Sequence, residues 1–206
     1  EADNGDISSM CAYAEILYNE NRKEESARYF KISADLGQVK SMLNYANMRS
    51  KGDGISVDKS ESANYYKKAA DLGEVNSMFY YGQMLYRGDG VSIDKAEAAK
   101  YFKQSADSGK RDGMHNYAMM VLKGDGIQSD KKEAAKYFKM AADKGQIQSM
   151  YNYASMVSKG DGVEQNENEA AKYFKKAADK GSIQSMYRYA SIESKSDKKE
   201  AAKYFK

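Results

Sequence analysis

The sequence predicts an all-α protein, a solenoid of helix-turn-helix repeats with a 36-residue period. Three observations carry that prediction. KGDG at 51–54 returns as RGDG at 87–90 and as KGDG at 123–126 and 159–162, always 36 residues apart. YYK at 65–67 and YFK at 101–103, 137–139 and 173–175 keep the same step, as does Ala-Asp-x-Gly at 34–37, 70–73, 106–109, 142–145 and 178–181. A fixed period of roughly 20–50 residues marks stacked units, none of which buries its apolar face alone. The third observation is composition. Proline is absent, and the abundance of Ala, Lys, Glu and Met suits helices.

Each unit spells two helices. In residues 74–109, Met78, Tyr81, Gly82 and Leu85 fall at i, i+3, i+4 and i+7, the stripe of an amphipathic helix A. Gly88 ends it, because glycine enters the left-handed conformation of a helix C-cap without strain. Gly90 gives the loop a second permissive position. Asp94 and Glu97 form a capping box that opens helix B. The aspartate accepts from a free first-turn N–H, and the glutamate reaches back to the cap. The box recurs as Asp58/Glu61, Asp130/Glu133, Asn166/Glu169 and Asp197/Glu200, and slips by one residue to Asn21/Glu24 in the first unit. Helix B turns Ala99, Tyr101, Phe102 and Ala106 inward and stops at Gly109. Met10, Met42, Met78, Met114, Met150 and Met186 share one repeat position, and Tyr13, Tyr45, Tyr81, Tyr117, Tyr153 and Tyr189 another. Stacked, they build the apolar spine of a solenoid.

The terminal units are shorter. Gly5 to Tyr29 is 24 residues and Gly181 to Tyr204 is 23, against 28 from Gly73 to Tyr101. Both lack the GDG loop. The expectation is a single array of about six repeats over residues 1–206, a segment of a longer one, whose cut ends fray or associate end to end.

Composition excludes some partners. With 33 basic and 30 acidic residues the net charge is +3, too balanced to point to nucleic acid or an anionic membrane. No apolar run approaches the roughly 18 residues of a spanning helix, so no membrane insertion is expected. Cys11 is the only cysteine, and no Asn-x-Ser/Thr sequon occurs. Both lean towards a reducing, cytoplasmic compartment, with the ER lumen or secretion as alternatives.

No catalytic residue, cofactor or metal site is expected. Arg87-Gly88-Asp89 spells an integrin-type tripeptide, but its three KGDG relatives at 36-residue spacing make it a structural turn. Cys11 and His115 hold the same repeat position three units apart. At about 10 Å per stacked unit they lie roughly 30 Å from each other, too far for a nucleophile and its base. One aspartate per loop (Asp53, Asp89, Asp125, Asp161) falls short of a calcium site. Ser56-x-x-Lys59, Ser92-x-x-Lys95 and Ser129-x-x-Lys132 match a serine–lysine motif, but the repeat itself generates the matches. Lys100, Lys136, Lys172 and Lys203 form a solvated face on helix B, their stems covering the aromatics.

These residues resemble the Sel1-like repeat family, which is related to tetratricopeptide repeats. Ser77, Tyr81, Gly82, Tyr86, Gly88, Gly90, Val91, Asp94, Ala99, Tyr101, Phe102, Ala106 and Gly109 follow its order, with Tyr86 one position late, and the match runs the length of the chain. A tetratricopeptide array has a period of 34 residues and no Gly-x-Gly-Val loop. Departures are Tyr for the family's Leu on helix A, Tyr-Phe for Trp-Tyr on helix B, and no proline after Gly-Val. The resemblance implies a right-handed α/α superhelix and a non-enzymatic scaffold or adaptor that binds a partner protein or extended peptide on its concave face. The alternative is a secreted Sel1-like enzyme of the β-lactamase-associated kind. Those relatives carry paired cysteines in each repeat, which this chain lacks.

The resemblance also suggests that helix A lines the concave side. The residues two after each core Met are Ala12, Asn44, Tyr80, Asn116, Asn152 and Arg188, and one turn on lie Glu15, Asn47, Gln83, Met119, Ser155 and Ser191. Amides in such columns both donate to and accept from a peptide backbone. The binding candidates are therefore Asn44, Tyr80, Asn116, Asn152, Arg188, Asn47 and Gln83, with Tyr80 and Arg188 as anchors. The competing reading is that the asparagines bond to neighbouring helices or loops.

Overall fold

A computed structural model describes residues 6–194 and 203. Among them eleven helices alternate as predicted. The A helices are α1 (Ile7–Asn19), α3 (Val39–Lys51), α5 (Val75–Arg87), α7 (Arg111–Lys123), α9 (Ile147–Lys159) and α11 (Ile183–Glu193). The B helices are α2 (Lys23–Asp35), α4 (Lys59–Asp71), α6 (Lys95–Asp107), α8 (Lys131–Asp143) and α10 (Glu167–Ala178). The chain falls into two compact units, Glu1–Ser105 and Ala106–Lys206.

The predicted spine is the core. Met10, Met42, Met78, Met114 and Met150 are buried, as are Tyr45, Tyr81, Tyr117, Tyr153 and Tyr189. Tyr13 and Met186, in the outermost described helix pairs, are half-buried. From Tyr13 to Tyr153, each spine tyrosine meets the helix-B tyrosine of its own repeat edge-on. Tyr45–Tyr65, Tyr81–Tyr101 and Tyr153–Tyr173 have ring centroids 4.9 Å apart, a favourable quadrupole arrangement. Lys100, Lys136, Lys172 and Lys203 are exposed as expected.

The capping box forms by half. Asp58, Asp94, Asp130 and Asn166 each accept from the N–H three residues on, at 2.9 Å. The returning glutamate bond does not form, because the cap residue's own N–H is taken. It donates to a helix-A carbonyl, Asp58 to Arg49, Asp94 to Leu85, Asp130 to Val121 and Asn166 to Val157, at 3.0–3.2 Å. Three of the glutamates accept from the spine tyrosines instead, Glu61 from Tyr45 at 3.1 Å, Glu133 from Tyr117 at 3.0 Å and Glu169 from Tyr153 at 2.9 Å, while Glu97 accepts from Lys100 at 2.7 Å. In the first unit Asn21 is not the cap. It stands at φ 62, a left-handed position that asparagine tolerates better than most residues. The three-residue connection reverses there, Arg22 takes the cap place without a side-chain bond, and α2 begins at Lys23. Asp197 and Glu200 lie outside the described residues.

Two ladders tie neighbouring repeats within each unit. The Asp of Ala-Asp-x-Gly accepts the phenol of the following B helix: Tyr101 to Asp71 at 2.9 Å, Tyr137 to Asp107 and Tyr173 to Asp143 at 2.6 Å, and likewise Tyr65 to Asp35. Burial, then the Asp71 carboxylate, pushes the Tyr101 phenol up, so it stays a donor. The loop aspartates hold the first lysine of the preceding B helix: Lys23–Asp53 at 2.6 Å, Lys59–Asp89 and Lys131–Asp161 at 2.7 Å.

These ladders give stability a pH dependence of known sign. Lys23 and Tyr18 hold the Asp53 carboxyl below its ordinary value, and Lys139 and Tyr153 do the same for Glu169. Burial pushes Asp71 up, but Lys67 and Tyr101 outweigh it. A carboxyl lowered by folding stabilises fully above its unfolded pKa, near 4, and the stabilisation is lost as pH falls through the folded value. Urea midpoints should therefore fall on acidification below about pH 5, and Asp53→Asn should flatten the fall. A midpoint independent of pH in that range would remove the ladders from the energetics.

One serine is orphaned for a reason visible in the repeat. Ser41 donates to Ser33 at 2.9 Å, and Ser33 to the carbonyl of Ile7 at 3.1 Å. One repeat on, Ser77 is fully buried with no side-chain partner among the described residues, because the position of Ser33 is filled by Ala69. A buried hydroxyl without a bond costs about 1–3 kcal/mol. Ser77→Ala should raise stability by about 1 kcal/mol, and Ala69→Ser should do the same by supplying the acceptor. Destabilisation by both would contradict the account.

Candidate partner-binding grooves

The two candidate columns stand off the core. Ala12 and Arg188 are exposed, and Asn44, Tyr80, Asn116 and Asn152 half-buried, while the methionines two residues earlier pack inward, except Met186, which is half-buried. Glu15, Asn47, Gln83, Met119 and Ser155 are also half-buried, and Ser191 exposed.

In the first unit the columns meet in a recess of about 450 Å³, between α1 and α3 and reaching α5. Glu15, Asn44, Asn47 and Tyr80 line it, over Phe30 and Met48, with Tyr18, Lys51 and Asp53 at the loop end. In the second unit a recess of about 170 Å³ lies between α9 and α11. Its lining is repeat-equivalent: Ser155 for Glu15, Arg188 for Asn44, Ser191 for Asn47, Phe174 for Phe30 and Ile192 for Met48. The groove is thus a product of the repeat. Gln83, Asn116 and Asn152 line neither recess.

The asparagines divide. Asn47 is engaged, its Oδ1 accepting from Tyr66 at 2.7 Å. Tyr66 is the one tyrosine where the other described B helices have phenylalanine, and the amide satisfies its hydroxyl. The Asn152 amide lies 3.5 Å from the Met119 sulfur. The Asn44 and Asn116 side chains make no hydrogen bond among the described residues. The Tyr80 ring packs on Tyr66 at 5.3 Å.

Other chemical candidates are absorbed by the repeat. The Met84 carbonyl accepts from Gly88 at 2.8 Å and from Asp89 at 3.0 Å, and the Asp89 carboxylate holds Lys59. The RGDG is a C-cap followed by an inter-repeat ion pair. Lys59 is turned to Asp89 at 2.7 Å, and the Ser56 hydroxyl accepts from Arg49 at 3.0 Å. Ser129 donates to the Leu122 carbonyl at 3.1 Å. Cys11 is buried, and His115 meets Ser149 at 2.8 Å, with burial lowering its pKa.

Four consecutive stretches, 39–74, 75–110, 111–146 and 147–182, match the Sel1 repeat. The chain belongs to the Sel1 repeat family. It is similar to a Sel1 repeat protein from Oxalobacter formigenes, with a TM-score of 0.87 and 21% identity over 94% of this chain and 82% of that one. It is also similar to a protective antigen of uropathogenic Escherichia coli strains displaying an SLR fold, with a TM-score of 0.91 and 22% identity over 98% of this chain. The chain spans only 45% of that protein's length. A cysteine rich protein B of Helicobacter pylori matches 62% of this Sel1 repeat chain, with a TM-score of 0.50 and 23% identity. No curated protein matches the sequence.

The sequence reading missed the groove floor, Phe30 and Phe174, and the loop-end lysines Lys51 and Lys159. The signal was present. A basic residue precedes every GDG, and Phe30 and Phe174 are neighbours of the helix-B tyrosine.

Proposed function

We propose that this Sel1 repeat chain is a non-enzymatic scaffold that holds an extended segment of a partner protein in the grooves between consecutive A helices. Sel1 repeats generally mediate protein–protein interaction. One observation carries the finer reading. The same recess forms at repeat-equivalent places in both units, lined from the same two columns, and in the first it presents an amide, Asn44, that the fold leaves unbound. A groove with open donors and acceptors beside aromatic walls suits a peptide backbone and one or two anchoring side chains.

The test is peptide selection on the intact chain from a displayed random library. Asn44→Ala should weaken the selected binders by about 1 kcal/mol, roughly fivefold, without lowering Tm, whereas Asn116→Ala, outside both recesses, should leave them unchanged. Asn47→Ala should lower Tm, because it strands the Tyr66 hydroxyl. Unchanged affinity with lost stability at Asn44 would make the column structural. For the enzymatic alternative, nitrocefin turnover abolished by Ser56→Ala would overturn the scaffold reading, and no turnover is expected.

A further inference from the structure

We propose that the segment these grooves take is acidic, with carboxylates flanking an aromatic or aliphatic side chain. The proposal rests on the groove reading above and adds the partner's chemistry. It comes from an imbalance in which charges the fold has already used. At the first groove both acids are engaged internally. Glu15 pairs with Lys40 at 2.5 Å, and Asp53 takes Lys23 and Tyr18, each at 2.6 Å. Glu167, in the second groove, also has partners within the protein. The cations are not used in this way. Lys51 lies near enough to lower Asp53, but neither it nor Lys159 nor Arg188 makes an ion pair among the described residues.

The pattern is general to the repeat. Lys51, Arg87, Lys123 and Lys159 each end an A helix, and none forms an ion pair among the described residues. A cation at a helix C-terminus is favoured by the exposed carbonyls there, which accounts for a basic residue at that place. It does not account for Arg188, which lies inside α11 on the groove itself. Nor does it explain why each loop aspartate beside these cations is drawn to the lysine of the preceding repeat, as Asp53 and Asp161 are.

The hydrogen-bonding capacity left over has the same sign. Asn47 spends its oxygen on Tyr66 and keeps its N–H groups. Tyr18 spends its proton on Asp53. The groove therefore offers mostly donors, which suit carboxylates and backbone carbonyls. Phe30 and Tyr80 in the first groove, and Phe174 and Ile192 in the second, supply the apolar contact for one side chain between the acids.

The experiment is the composition of the pool selected from the random displayed library, followed by affinities on substituted protein. The pool should be enriched in Asp and Glu beside an aromatic or aliphatic residue. Its affinity should fall by about tenfold with Lys51→Glu or Arg188→Glu, less with Lys51→Gln, and should weaken with added salt. Lys136→Glu, on the exposed B face, should leave it unchanged. A neutral or basic pool that still needs Asn44 and Tyr80 would overturn the acidic preference and leave the groove standing. An acidic pool that responds to Lys136→Glu as strongly as to Lys51→Glu would place recognition outside the groove and overturn the proposal. A pool indifferent to every A-helix substitution, or no enriched pool, would overturn both readings.

Discussion

Gly90→Ala should destabilise the protein by about 3 kcal/mol or more, against about 1 kcal/mol for Gly73→Ala, in urea unfolding of the intact chain. Both glycines have positive φ, +74 at Gly90 and +91 at Gly73, so the left-handed penalty is shared. What differs is space. Around Gly73 nothing lies within 4 Å of an added Cβ, whereas at Gly90 the carbonyl carbon and oxygen of Lys59 would stand at 2.3 and 2.4 Å. Those are backbone atoms at the start of α4, and they cannot move aside by changing a rotamer. The loop cannot retreat easily either, because Asp89 is paired with the Lys59 ammonium. Gly162 meets the Lys131 carbonyl carbon at 2.5 Å in the same way. Gly88→Ala should fall between, since its Cβ would meet the Ile93 side chain at 2.7 Å, which can rotate. Equal losses at Gly73, Gly88 and Gly90 would refute the close-packing argument.

That contrast marks how far the sequence could be read. The period, the helix pairs and the Met and Tyr spine were legible because they are local patterns repeated several times. The sequence also showed that both GDG glycines matter, and Gly88 behaves as the C-cap it predicts. It could not rank Gly90 above Gly88, because the atoms that crowd Gly90 belong to the preceding repeat. The capping box failed by half for a related reason. Whether Glu61 turns back to its own cap or across to Tyr45 depends on the Arg49 carbonyl taking the Asp58 N–H, a contact made across the loop. Asn21 was read as a cap from its side chain, but the shortened connection needs a left-handed residue there. Of the candidate site, the two columns were legible from helical spacing. The aromatic floor and the loop-end lysines stood in the sequence as repeated letters, but which helices close them over one recess did not.

The floor leads to the other large effect. Phe138→Ala should cost about 4 kcal/mol and Phe174→Ala about 3 kcal/mol, although the two residues hold the same repeat position. Phe138 is fully buried, packed 5.8 Å from the His115 ring, so truncation leaves a closed void whose walls lose their contacts. Phe174 is 2% exposed and borders the groove beside Arg188. Truncation there enlarges an open recess, which water enters, and the cavity part of the cost shrinks. Arg188→Ala, on the same groove but solvated, should change stability by less than about 0.5 kcal/mol and should act on binding alone. Phe174→Leu keeps an apolar floor and should lose about 1 kcal/mol while changing which side chains the groove accepts. Urea unfolding of the four variants gives the ordering directly. If Phe174→Ala proved as costly as Phe138→Ala, the recess would be sealed at its base. Its floor would then be core, unable to receive a partner's side chain.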